Sequence, residues 1–374
     1  MHLAVLISIV VLMANKPNVS GEALPQPIVT DSVQELKIVF AGDVMQHLPQ
    51  VDAAWDCERG EYIYDSCFKY LKGIVSSTDL AIANLETTLA GEPYSGYPAF
   101  SSPNAIVTGL LHAGFDIVGT ANNHCCDRGR KGIERTLAVL DSLGMTHFGT
   151  YRNEEDFKHK SPLIVRAKGF KIAFLNYTYG TNGIPIPDNK IVNLIDKERM
   201  EADLKAAQDS GVDFRIVFIH WGEEYQRQPN EYQKDIAHFL FAKGADLVVG
   251  SHPHVIEPME WQKADSLGKD HIVVWSLGNF VSNQRKRYTD GGTLFTVTLK
   301  KNKQHAWITD ATYLLTWVYN PTINGQRQYF ILPAARFEND TMLLDKQAHK
   351  DLQLFLSDSR TLLEKENIGI GEAK

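Results

Sequence analysis

Six side chains of metal-ligand type occupy comparable places in the chain. Asp43, Glu86, Asn123, His220, His252 and His254 each fall just after a short apolar run. Carboxylate, amide and imidazole donors suit Mn, Zn or Fe better than ions that prefer thiolate. Two divalent ions about 3.5–4 Å apart acidify a bridging water and clamp a phosphoryl group. Such a site needs one shared carboxylate, a second carboxylate and several neutral imidazoles, and the chain supplies those types. His252 and His254 can turn two imidazoles from one loop toward neighbouring positions, and Asn123 can offer an amide oxygen. His124, beside Asn123, can protonate a leaving oxygen or hold a substrate anion.

The elements that must position these groups alternate as strand, loop and helix from Leu36 onward. Strands are expected over 36–41, 79–83, 116–120, 214–219, 246–249 and 271–275, with helices over 62–75, 104–113, 129–143, 196–207 and 231–242. A hairpin is expected over 163–167 and 171–177. Apolar runs between helical patterns indicate buried, partly parallel strands of an α/β domain. In such sheets the ligand crevice lies outside the carboxyl ends of the strands. Asp43, Glu86, Asn123, His220, His252 and His254 all fall there. Beyond Gln304 the pattern gives further strands over 306–319 and 328–332 and a helix over 344–363, expected to finish the second sheet and pack against it.

The chain has 374 residues and a formal charge of −7, with 44% hydrophobic and 22% charged residues. That is ordinary globular usage, not that of a disordered chain or a disulfide-dense mini-protein. The mild acidity argues against nucleic acid as a partner. The length allows two domains or one large α/β unit with an appendage.

Residues 3–14 are apolar and uncharged. They are too few to span a bilayer as a helix but match the apolar core of a secretory signal. The expected division is a signal at 1–21, a linker at 22–35, a main domain at 36–303 and C-terminal strands and helix at 304–374. An uncleaved membrane anchor and a buried strand are the alternatives for the first segment. Export allows Cys57 to pair with Cys67. The adjacent Cys125 and Cys126 lack the spacing of a zinc-thiolate site and read as small buried residues.

Taken together, Gly-Asp-Val-Met at Asp43, Asn84-Leu85-Glu86, Asn122-Asn123-His124, His220-Trp221-Gly222, Ser251-His252-Pro253-His254 and Ser276-Leu277-Gly278-Asn279-Phe280 resemble the CapA/PgsA capsule-synthesis family in order and spacing. The resemblance covers about residues 36–290. It implies a calcineurin-like metallophosphatase fold, a two-sheet sandwich flanked by helices, and a role in capsule or poly-γ-glutamate production at the bacterial surface. It further implies Asp43 and Glu86 as carboxylate ligands, with Glu86 bridging. Asn123, His220, His252 and His254 would complete the metal set, and His124 would be the general acid, with Asp43 also in the catalytic machinery. The parent superfamily carries Asp-x-His at the first strand, whereas Val44 and Met45 follow Asp43 here. Its bridging residue is Asp, not Glu. These departures leave one or two ions open, and His47 stands four positions along as a candidate of its own.

Substrate contacts are expected from Asn84, Asn122, Trp221, Glu223, Asn279 and Arg285. Three of them have an ordinary alternative. Trp221 can be core, Glu223 and Glu224 a solvated pair, and Arg285 to Arg287 a solvated loop. The resulting expectation is an exported metal-dependent hydrolase acting on phosphoester or related bonds of an anionic cell-surface polymer or its precursor, alongside membrane-bound capsule synthesis or export proteins. A non-catalytic polymer-binding accessory subunit and a metal-dependent γ-glutamyl amide hydrolase are the alternatives.

Overall fold

The strand Gln34–Val44 feeds two cores at once. Side chains alternate across a strand. Leu36, Ile38 and Phe40 therefore enter one apolar cluster, while Val39 and Ala41 enter another. In this computed structural model, which describes residues 33–263 and 269–373, that strand lies inside a mixed nine-stranded sheet. The order is Phe330–Pro333, Ala306–Tyr319, Gly291–Lys301, Gln34–Val44, Leu80–Leu85, Ile117–Gly119 and Thr146–Phe148, with Asn279–Val281 and Gly371–Glu372 pairing alongside. A second sheet runs Met259–Gln262, His271–Val274, Leu247–Ser251, Phe214–His220, Phe170–Thr178 and Leu163–Ala167. The expected export segment 1–21, and all of the linker 22–35 up to Ser32, lie outside the described residues.

The sheets face each other across the largest core. Phe40 meets Phe218 edge-to-face at 6.1 Å across that gap. Fully burying one such ring is worth about 1.5–3 kcal/mol. Helix Ala105–Ala113 covers the outer face of the first sheet. Helices Lys197–Asp209 and Glu231–Ala242 cover the outer face of the second. The result is a two-sheet sandwich flanked by helices.

Two expectations need correction. Residues 62–75 do not form one helix. Tyr62 pairs with Trp55 in a short hairpin, and two brief helices follow, Asp65–Phe68 and Lys72–Val75. Tyr70, between them, turns out to pack against Phe330 and Phe337. The C-terminal strands Ala306–Tyr319 and Phe330–Pro333 extend the sheet that holds Gln34–Val44, not the one that holds His220. Helix Lys346–Glu366 packs on them, its start capped by the Asp345 carboxylate. Cys57 and Cys67 are both free thiols, the first exposed and the second buried.

Candidate metal centre

Parallel strands bring the ligand-type residues to one end of the sandwich. Asp43 lies at the end of its strand, with Asn84 and Asn279 as its neighbours in register. Glu86 follows the strand Leu80–Leu85 directly. His220 closes its strand opposite Ser251, after which the His252 to His254 loop begins. Close approach matters here: a Cβ on Gly42 would stand 1.9 Å from the Gly278 carbonyl oxygen, so only glycine lets the Asp43 strand reach its place. His252 and His254 both adopt positive φ, 103° and 58°. Each such residue costs on the order of 1–3 kcal/mol, a strain that persists where the surroundings hold it and that concentrates at functional sites.

The donor atoms converge. Glu86, His220 and His252 form one buried group whose ligand atoms all lie within 4.8 Å of one another, and Asp43, Glu86 and His254 form a second. Glu86 belongs to both. One of its oxygens, Oε1, lies 3.7 Å from His220 Nε2 and 3.8 Å from His254 Nε2. His254 Nδ1 is 3.1 Å from Asp43 Oδ2. Asn123 Oδ1 faces His220 Nε2 at 2.9 Å, held in that orientation because its amide nitrogen donates to Asn182 Oδ1.

Electrostatics sharpen the picture. Burial, reinforced by His252 and His254, holds His220 well below the ordinary imidazole range. Burial and the neighbouring His254 push His252 down to about 3. Both imidazoles therefore stay neutral, the form that ligates a metal. Burial and the adjacent Asp43 push the Glu86 carboxyl well above its usual range. A buried carboxyl such as that of Glu86 resists ionising unless a cation compensates it.

The donor set fits a divalent cation on two further counts. Glu86 Oε1 and His252 Nδ1 are buried without a hydrogen-bond partner among the described residues, and such orphans call for an explanation. The surrounding groups also behave as supports for ligands. Asn84 Nδ2 donates to Asp43 Oδ1 at 2.8 Å and lies 3.4 Å from Glu86 Oε2. Ser251 Oγ is 3.0 Å from His220 Nδ1, so the imidazole presents Nε2 to the centre. Hydrogen bonds of this kind fix tautomer and ring orientation at metal sites.

His124 is buried beside the cluster and contributes to the depression of His220 and His252. Its Nδ1 sits 2.7 Å from Asp127 Oδ2. That oxygen also accepts from the Phe100 amide at 2.7 Å. Nε2 is left without a partner among the described residues.

The expected substrate contacts divide. Asn84 and Asn122 are buried in the centre, but as braces: Asn122 donates to the Leu85 carbonyl and to Asn84 Oδ1, and accepts from the His124 amide. Asn279 is buried and donates to Gln284 and to the Thr289 carbonyl, so it anchors the 282–290 loop. Arg285 turns its guanidinium to the Val318 and Ser282 carbonyls. Glu223 is exposed on the loop after His220. Trp221 does not line a pocket. It is fully buried, stacks on Trp275 at 5.8 Å and donates to the Trp275 carbonyl, because its strand end faces the helix-covered side. His47 is not in either ligand group; its ring stands edge-on to Phe100, which in turn abuts His124. Cys125 and Cys126 pack in a small apolar cluster with Ile133 and Leu137.

The reading from sequence missed Asp127, Ser251 and Tyr179. Tyr179 is 41% exposed and its ring lies 4.6 Å from that of His252, so it forms part of the rim. Tyr225 lies 6.2 Å from His254 under the Lys286 ammonium. The spacing of His124 and Asp127, three apart, was the one visible signal for the first of these.

Comparison with known proteins bears on this centre. A family described as bacterial capsule synthesis protein PGA_cap matches residues 37–284. The Bacillus anthracis capsule biosynthesis protein CapA is 26% identical over 282 residues, 72% of this chain and 65% of that protein. The chain therefore spans slightly less than two thirds of that relative. The Bacillus subtilis PGA biosynthesis protein CapA is 27% identical over 320 residues, 80% of this chain and 77% of that protein. Among solved structures, Haemophilus influenzae NAD nucleotidase superposes with a TM-score of 0.50 at 14% identity, over 92% of this chain and 65% of that one. The fold the two share is the two-sheet sandwich flanked by helices.

Proposed function

The chain belongs to the bacterial capsule synthesis protein family PGA_cap, and from that membership and the geometry of its centre we propose that it is an exported, metal-dependent hydrolase of capsule assembly. Its substrate on this reading is a phosphoester or related bond in an anionic cell-surface polymer of poly-γ-glutamate type, or in a phosphorylated precursor. Membrane-bound capsule synthesis or export proteins are its partners, and residues 1–21 are its export signal. Among the described residues no helix is long and apolar enough to cross a membrane.

The observation that carries the reading is the sharing of Glu86 between two buried ligand groups. Asp43, Glu86 and His254 would hold one cation, and Glu86, Asn123, His220 and His252 the other. Bound there, Mn, Zn or Fe supplies Lewis acidity toward a phosphoryl or carbonyl oxygen and an acidified water. The chain's own residues do the rest. Asn84 orients Asp43 and Glu86 by hydrogen bonds. Asp127 fixes the His124 ring through Nδ1, which frees Nε2 to carry a proton to the leaving oxygen. The burial of all these groups excludes bulk water and strengthens each interaction.

A second reading has its own support. Where the parent superfamily places a histidine two positions after the first Asp, this chain has the buried Met45. With one donor fewer, the Asp43 group also suits a binding role in an accessory subunit. The assay that separates the readings uses protein reconstituted with Mn, Zn or Fe and three probes: p-nitrophenyl phosphate, bis(p-nitrophenyl) phosphate and a γ-glutamyl anilide. Turnover of a phosphoester probe, lost on chelation and in His254→Ala, is the expected result. Turnover of the anilide alone would move the activity to amide bonds. A loaded centre that turns over none of them would favour the accessory role.

A further inference from the structure

A cleft of about 650 Å³ opens between the 55–65 hairpin region, Glu92 and Tyr94, and the start of helix Ala105–Ala113. No residue of the metal centre lines it. Three aromatic rings form its wall in sequence. Trp55 stands 4.9 Å from Tyr62, and Tyr62 stands 5.3 Å from Tyr94, both edge-to-face. Trp55 and Tyr62 are opposite each other in the hairpin, so the backbone sets their spacing. The hairpin turn is itself held by Asp56, which accepts from the Glu58 and Arg59 amides. Trp55 nevertheless stays 39% exposed. At the inner wall the Tyr64 hydroxyl is buried with no hydrogen-bond partner among the described residues.

The charges around these rings decide what the cleft can hold. Glu61, Asp65 and Glu92 line it against the single guanidinium of Arg59, and Asp65 is bonded to His112. A polyanion entering there meets like charge, which costs affinity and blocks the wrong partner. An uncharged sugar chain meets the opposite situation. Its C–H faces pack on the exposed rings, and its hydroxyls donate to the carboxylates; Trp and Tyr combine apolar area with a polar edge in this way. We propose that this cleft binds a neutral glycan, a second ligand distinct from the anionic substrate of the metal centre.

One loop links the two places. Residues 91–101 carry Tyr94 into the cleft and Phe100 to the metal centre, where its ring abuts both His47 and His124. A Cβ on Gly96, midway, would stand 2.8 Å from the Leu48 amide nitrogen, so the loop lies tight against the chain that carries His47. A glycan in the cleft would therefore contact the same loop that carries Phe100 to His124.

The inference does not rest on hydrolytic activity, and its test is a binding experiment on the full chain. Tryptophan fluorescence and calorimetry are recorded with cellohexaose, chitohexaose, maltohexaose and a γ-glutamyl hexapeptide. Saturable binding of at least one uncharged hexasaccharide is expected, without competition from the γ-glutamyl peptide. Trp55→Ala and Tyr94→Ala should each weaken it about tenfold, an amount equal to roughly 1.4 kcal/mol. Trp55→Phe should keep most of it. Metal content and phosphoester turnover should be the same in all three variants as in the parent, which separates this proposal from the hydrolase reading. Failure of every uncharged hexasaccharide to bind overturns the proposal. So does an affinity unchanged in both alanine variants, or displacement of the sugar by the γ-glutamyl peptide.

Discussion

His124 Nδ1 lies 2.7 Å from Asp127 Oδ2, and the two side chains are 3% and 0% exposed. A buried carboxylate on one imidazole nitrogen sets the tautomer and leaves the other nitrogen for proton transfer. The same Asp127 oxygen also accepts from the Phe100 amide. In Asp127→Ala both contacts to that oxygen are lost, so nothing holds the His124 tautomer or its ring orientation. Turnover of a phosphoester probe should fall by about 10²–10⁴-fold. Metal content should not change, because Asp127 is in neither ligand group. An equal loss of metal would show that the pair builds the site and does not serve proton transfer.

Asn84 touches three of the groups that ligation needs. Its Nδ2 is 2.8 Å from Asp43 Oδ1, 3.4 Å from Glu86 Oε2 and 3.3 Å from His220 Nδ1. Asn84→Ala should leave the ligands in place but unoriented. Loss of such supports weakens metal binding by about 10–100-fold, which competition with a chelating dye would read directly. Unchanged affinity would contradict that bracing role.

Glu257 gives a prediction about stability. It is fully buried, with Oε2 accepting from Gln233 and Oε1 without a partner among the described residues. Burial raises its carboxyl from the ordinary 4.5 to about 8. Between those values the unfolded chain binds fewer protons at this group than the folded one. Its contribution is therefore most favourable below pH 4.5 and is lost as pH rises to about 8. Glu257→Gln removes the ionisation. Denaturant unfolding should show the variant more stable than the parent at about pH 9, with the gain gone near pH 4.5. A gain that does not vary with pH would contradict the assignment.

Much of this centre was legible because buried parallel strands advertise their ends. Residues 38–41, 80–83 and 216–219 are wholly apolar, so the polar residues just beyond them, Asp43, Asn84 with Glu86, and His220, mark the crevice. Helices Gly129–Leu143 and Glu231–Ala242 were equally plain, since their apolar spacing is helical and Gly144 stops the first. Three kinds of fact were not legible. Trp221 directly follows His220, the last residue of its strand, yet alternation sends it to the helix-covered face and into the core. Asn122 and Arg285 are polar residues in suggestive motifs, but their hydrogen bonds are spent on backbone carbonyls. The aromatic cleft joins Trp55 and Tyr62 to Tyr94, 32 positions after Tyr62 in the chain, and only tertiary structure brings those rings together.

The most direct test of the account is metal stoichiometry. Protein reconstituted with Mn, Zn or Fe and freed of excess would be measured by elemental analysis, next to His252→Ala and Glu86→Gln. Because Glu86 serves both ligand groups and His252 only one, the parent should carry about two ions per chain, His252→Ala about one and Glu86→Gln essentially none. A parent that binds no such ion under these conditions, or a Glu86→Gln variant that binds as much as the parent, would contradict the shared-carboxylate centre and with it the hydrolytic reading.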